Sequence, residues 1–259
     1  MNTLVKQRRK YFIMLWVMFA IYVALFSVFI IFIEDFSLTI ALIALVSIIF
    51  LFLIMPLKSR IEYYSMYINY HILYEKKAPP INIEKEILNN NWLRYLEKMG
   101  FMLESDHGDF ILYYRFIRER YKSTKKDRMF QVVIIIKNKN LSFDESRYSD
   151  AINKLESIHY KKERFTKYMI CHFKEYFEPL TKEDTDKLYE ITCSKHGRTY
   201  FNVLNLAYLR KEGTIDFLHS DTFYPNYFFE KTVKLAKSLI RFENIRPKTD
   251  ELIKDEIEE

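Results

Sequence analysis

The sequence predicts an α-helical transmembrane hairpin followed by a cytoplasmic α+β domain with a mixed sheet of about five strands. Three observations carry that expectation. Two uncharged stretches, Tyr11 to Ile33 and Ser37 to Leu57, are separated only by Glu34, Asp35 and Phe36. Basic residues flank the pair on its outer ends, and none lies in the turn. Beyond Leu57 the chain alternates short apolar runs with segments of helical periodicity.

Each apolar stretch is long enough to cross a bilayer, since about 20 helical residues at about 1.5 Å rise span a core of roughly 30 Å. Lys6, Arg8, Arg9 and Lys10 precede the first span, and Lys58 and Arg60 follow the second. Basic flanks stay on the cytoplasmic side, so residues 1–10 form a basic cytoplasmic N-terminus. Segments 11–33 and 37–57 then cross, and 34–36 make a short external turn. The expected location is the cell membrane, multi-pass, with both termini cytoplasmic. A cleavable signal peptide fits less well. Its apolar region runs about 7–15 residues before a small-residue site, whereas Ser27-Val28-Phe29-Ile30-Ile31 is bulky. Ala20, Ala24 and Ser27 on one span, with Ala41, Ala44 and Ser47 on the other, allow close helix packing. Neither span carries an ionisable Lys, Arg, His, Asp or Glu of the kind that marks a transport path.

A juxtamembrane helix is expected over 58–78. Tyr63, Tyr67, Tyr70 and Tyr74 form one stripe on it, able to pack on its own domain or on a second copy. Ala78-Pro79-Pro80 ends that helix. The α+β domain then occupies 79–242. Its first helix is expected from Ile83 to Met99, closed by Gly100. Strands follow at Phe110 to Ile117 and Met129 to Ile136, the second apolar enough to be covered on both faces. A helix capped by Ser149 runs to Tyr160, and a strand spans Tyr168 to Phe177. Thr181-Lys182-Glu183-Asp184 reads as a capping box opening a helix that lasts to Gly197. A hairpin of Thr199 to Tyr208 and Thr214 to His219 turns through Lys211-Glu212-Gly213. The last helix begins at Pro225-Asn226. Residues 243–259 form an acidic tail, expected to be disordered, with seven acids against three bases. The whole chain carries +6, so the first 242 residues carry +10.

Composition removes several chemistries. The chain has only 4 glycines, isolated from one another, so no phosphate-cradling Gly-rich loop is present. Cys171 and Cys193, on the cytoplasmic side, are expected as buried free thiols. A restriction-type nuclease needs an acid-x-lysine on the strand after Met129, where the chain reads Gln131-Val132-Val133.

Cys193 and His196, spaced C-x-x-H, with Cys171-His172, offer zinc-type donors, although adjacent strand residues face opposite ways. Asp216, His219 and Asp221, with His107 and Asp109 near another strand end, are the candidates for metal or acid–base chemistry. Arg115, Arg118, Arg120, Lys122, Lys125, Lys126 and Arg128 make a basic segment suited to lipid headgroups or a nucleic-acid backbone. A tethered domain meets headgroups first. The expected function is therefore a membrane-anchored cytoplasmic binding or interaction module, held against the inner leaflet by its basic face and using no cofactor. Its expected partners are the bilayer and its anionic headgroups, with a protein partner or a second copy after them. The alternative is a membrane-tethered metal-dependent hydrolase or nuclease.

Overall fold

The computed structural model describes residues 1–119, 127–160, 167–196 and 199–241. The chain divides into two compact units. The first holds Met1–Lys77 with Ser220–Pro225, and the second holds Ala78–His219 with the chain from Asn226 onward.

In the first unit, α1 (Asn2–Phe32) and α2 (Phe36–Glu75) form an antiparallel pair. Asp35 starts α2 by accepting the backbone N–H groups of Ser37 and Leu38, which satisfies donors a helix start leaves open. The helices meet where Tyr22 stacks on Phe50 at 4.4 Å and its hydroxyl bonds Ser47 Oγ at 2.9 Å. No residue of α1 is buried, and α2 buries only Thr39, Ile68, Tyr70 and Leu73. Large apolar side chains such as Trp16, Phe32 and Phe52 stand exposed. Both helices are long and apolar enough to cross a membrane. The end of α2 holds the 220–225 segment, with Asn69 Nδ2 donating to Pro225 O at 3.2 Å and Lys76 above the Phe223 ring. The tyrosine stripe divides there: Tyr70 is buried, while Tyr63, Tyr67 and Tyr74 remain exposed.

The second unit is built on a mixed sheet. Its strands are β1 (Ile81–Asn82), β2 (Met102–Asp106), β3 (Phe110–Glu119), β4 (Asp127–Ile136), β5 (Lys167–Tyr176), β6 (Thr192–His196), β7 (Thr199–Leu209) and β8 (Thr214–Asp216). Seven lie in the order β1-β8-β7-β5-β4-β3-β2, and β6 pairs with the first half of β7. The sheet is thus wider than the expected five strands. The additions are short pieces whose backbone pairing, not side-chain pattern, makes them strands. β4, β5 and β7 run parallel, and the other pairings are antiparallel.

Among the described residues, four helices cover the sheet. On one face α4 (Ser146–Tyr160) and α5 (Lys182–Leu188) close a core of Phe110, Leu112, Phe130, Val132, Ile134, Tyr168 and Ile170. On the other lie α3 (Asn90–Lys98) and α6 (Tyr227–Ile240). Trp92 of α3 meets the Phe173 ring at 5.2 Å and donates Nε1–H to Leu239 O at 2.8 Å, tying α3, β5 and α6 together. With both faces covered, Met129 to Ile136 is buried throughout, as an apolar central strand requires.

Three helices differ from expectation. α4 begins at Ser146, so Ser149 is not its cap but lies in its first turn, where its Oγ donates to Ser146 O at 2.7 Å. α3 starts at Asn90 and not near Ile83, because Leu88 takes a positive φ of 63° and Asn89 caps the helix through Trp92 N. The Thr181 capping box is present with Asp184 as its reciprocal partner, but α5 ends at Leu188 and the chain then becomes β6. The 242–259 tail lies outside the described residues.

Candidate functional site

Parallel strands bring their carboxyl ends to one edge, and in α/β sheets that edge is where ligands enter. Here β4 ends at Ile136 and β5 at Tyr176. The loop 137–145 leaves one, and a short turn into α5 leaves the other. Between them opens a cavity of about 210 Å³ whose walls include Lys139, Lys174, Tyr176, Thr181, Asp184 and Lys187. Its lining is overwhelmingly polar, although it sits on the end of an apolar core.

Lys174 is the unusual member. It projects from β5 on the same side as Tyr168, Ile170 and Tyr176, and is 7% exposed. Its ammonium donates to Leu141 O at 2.7 Å and lies 4.9 Å from the Tyr176 ring centre. Burial lowers its proton affinity, with Asp184 opposing that effect and Lys187 adding to it. Asp184 faces other donors: Thr181 Oγ1 at 2.5 Å and the Tyr176 hydroxyl at 3.2 Å. Although burial opposes ionisation, these hydrogen bonds keep the Asp184 carboxyl below its ordinary range. Lys187 pairs with Glu183 at 3.1 Å, the latter 80% exposed. Lys139 lies over the Phe177 ring at 4.1 Å.

One step deeper on the same face lies a second polar group. His172 is 6% exposed, with Nδ1 3.1 Å from Asn205 Oδ1, and Asn205 Nδ2 donates to Lys187 O at 2.9 Å. That second bond fixes the amide orientation, so His172 Nδ1 carries the proton shared with Asn205. Burial pushes the imidazole down to about 4, against the raising influence of Asn205 and the Phe143 backbone. The ring is neutral at physiological pH. Its bond to Asn205, which in turn holds Lys187 O, ties β5 and β7 to the end of α5.

The residues expected from sequence are distributed elsewhere. Asp216 is buried and accepts the Tyr189 hydroxyl, while His219 stacks on Phe217 and its Nδ1 faces Phe217 O at 3.1 Å. Asp221 is exposed. His107 stacks on Phe110 and bonds Ser105 Oγ, and Asp109 pairs with Arg147 at 3.0 Å and Asn138 at 2.9 Å. These contacts explain His107 and Asp109 as fasteners of the β3 entry. Among the described residues no group of three or more His, Cys, Asp or Glu is placed to hold a metal ion.

Cys171 is fully buried on the face opposite His172, and burial pushes its thiol up to about 12, leaving it inert. Cys193 and His196 fall on β6 and not on a helix, with side chains outside the described set. Of the basic segment, Arg120, Lys122, Lys125 and Lys126 lie outside the described residues, as do the side chains of Arg118 and Arg128. Arg115 is described, and it points inward. Its Nε donates to Gln131 Oε1 at 2.6 Å and its Nη1 to Met99 O at 2.5 Å, with Phe101 beneath it. Burial pulls this guanidinium down to about 10. It is a clamp between β3, β4 and the end of α3.

A larger cavity of about 360 Å³ borders Ile81 to Lys85 and Arg241. Its wall stops at Arg241, where the described chain ends. A third cavity, of about 270 Å³, lies beside the Arg115 clamp and is bordered by Gln131, Met169, Lys231 and Lys234. No family model matches the chain, and no curated protein or solved structure is detectably similar to it.

Proposed function

We propose that this chain is a membrane-anchored binding module. Its helical hairpin fixes it in the bilayer, and its α+β domain receives a ligand at the carboxyl edge of the parallel strands. The observation that carries the anchor is the exposure of α1: 31 residues, strongly apolar from Tyr11 on, none of them buried. A soluble protein hides such a helix, because each large apolar side chain left in water forgoes about 1.5–3 kcal/mol. A bilayer removes that cost at once. Basic flanks at Lys6 to Lys10 and Lys58 to Arg60 favour both ends of the hairpin on the cytoplasmic side.

The basic segment supplies a second attachment. Arg118, Arg120, Lys122, Lys125, Lys126 and Arg128 act on anionic headgroups, each nearby charge adding about 1 kcal/mol of attraction. Arg115 leaves this set, since its guanidinium is engaged inside the domain. The test is flotation of fragment 78–259 with phosphatidylserine-containing vesicles. Charge reversal at Lys125, Lys126 and Arg128 should strongly reduce co-flotation, and more salt should reduce wild-type binding. Equal flotation of wild type and variant sinks the headgroup contact.

A further inference from the structure

We propose that the cavity at the carboxyl ends of β4 and β5 binds a small anion bearing a terminal phosphate, with Lys174 as its buried anchor and Lys139 and Lys187 beside it. The inference rests on reading that cavity as the receiving site of the domain.

The first ground is an incomplete buried cation. An ammonium has three N–H donors, and among the described residues Lys174 uses one of them, on Leu141 O. Lysine is almost never buried without an opposite charge, because an unpaired interior charge is costly. Of the carboxylates in the same wall, Glu183 pairs with Lys187, and Asp184, whose charge favours the Lys174 ammonium, accepts its hydrogen bonds from Thr181 and Tyr176 and none from Lys174. An anion in the cavity would take the two remaining N–H groups of Lys174. It would also reverse the effect of burial that holds the Lys174 ammonium below its ordinary range.

The second ground is the donor set. Three lysines reach the cavity from three separate segments, the loop after β4, β5 itself and α5, and among the described residues no arginine lines it. A planar carboxylate is matched best by the flat fork of arginine, whereas lysines act as separate point charges around a tetrahedral phosphate. Size limits the rest of the ligand. At about 30 Å³ per water, the cavity of about 210 Å³ holds about seven waters' volume. That admits a phosphate with a short substituent. It is below the roughly 300–1,000 Å³ of sites that enclose drug-sized molecules, so a nucleotide is too large to be enclosed.

The test uses the full chain in phosphatidylcholine nanodiscs, with thermal unfolding as the readout. The probes are inorganic phosphate, succinate, and discs doped with phosphatidic acid. Phosphate should raise the midpoint saturably. Lys174→Met replaces a buried cation by an apolar chain of similar length, so its ligand-free midpoint should be equal or higher. Its phosphate affinity should fall about 10- to 100-fold, the loss of a charge-assisted hydrogen bond. Should that variant not fold, Lys187→Ala at the more exposed wall serves instead, with a several-fold loss expected. Stabilisation by free phosphate in plain discs identifies a soluble phosphate compound. Stabilisation only by phosphatidic acid identifies a lipid headgroup, and either result supports the proposal. Wild-type phosphate affinity in the folded variant overturns it. Stabilisation by succinate alone overturns the phosphate assignment while keeping the receiving site. No response to any of the three probes removes both.

Discussion

Acidification should destabilise the α+β domain through His172 before the carboxylates act. The imidazole titrates near 6.5 in an unfolded chain and is pushed down to about 4 in the fold by burial. Between those values the unfolded chain holds a proton that the native state does not. Stability therefore falls as pH drops through that window and is fully restored above it. A gap of about 2.5 on the pH scale, at about 1.4 kcal/mol per tenfold, amounts to about 3 kcal/mol. Asp106, Asp144 and Asp184 are all held below the ordinary value of 3.8, so their contributions are lost only at lower pH. Urea unfolding of fragment 78–259 measures the effect directly. Trp92 is its one tryptophan and is fully buried, so emission reports the core. His172→Gln keeps an amide donor for Asn205 Oδ1 without a titrating group. It should be less stable than wild type at neutral pH, and flatter from about pH 6.5 to about pH 4. Parallel pH profiles for wild type and variant would refute the assignment to His172.

Two other substitutions test the packing that holds the cavity in place. Trp92→Phe removes the donor to Leu239 O and part of the ring contact with Phe173. It should cost about 1–3 kcal/mol in the same urea assay, and a loss near zero would mean that α3 and α6 are not coupled through this residue. Thr181→Ala removes the α5 cap and a donor to Asp184, which should lower stability by about 1 kcal/mol. An unchanged midpoint would show that α5 does not depend on its capping box.

Much of the architecture was legible because it depends on local signals. The apolar stretches, the capping residues Thr181 and Asn226, the turn before Gly213 and the apolar run at Met129 to Ile136 each leave a pattern that survives out of context. β2 leaves none. Its residues Met102 to Asp106 are mostly exposed, and the strand exists because its backbone pairs with β3 across a shift between Leu103 and Ser105. β1 has two residues, and β6 is a short polar strand after a strong helix start. The capping box signalled where α5 begins and carried no information about where it ends.

The candidate site was hidden for a different reason. His172 and Lys174 look like ordinary polar positions in a strand with one wet face. β5, however, lies between β4 and β7 with helices on both faces, so polar residues two apart on it must find buried partners. The available signal was a conflict within the sequence: Tyr168, Ile170, His172, Lys174 and Tyr176 share one face, and that face is core. Knowing that the strand is central required the sheet order, which depends on pairings between distant segments. The acidic and histidine clusters pose the reverse case: Asp109 and His107 carry suitable chemistry, and the structure engages both in local contacts that no sequence pattern announces.

Whether α1 and α2 hold the chain in a bilayer can be measured directly. Membranes from cells expressing the full chain, and separately fragment 78–259, should be washed with alkaline carbonate and sedimented. The full chain should stay in the pellet while the fragment is released to the supernatant. Release of the full chain would contradict the membrane anchor, and the exposed apolar surface of the two helices would then need a protein partner to cover it.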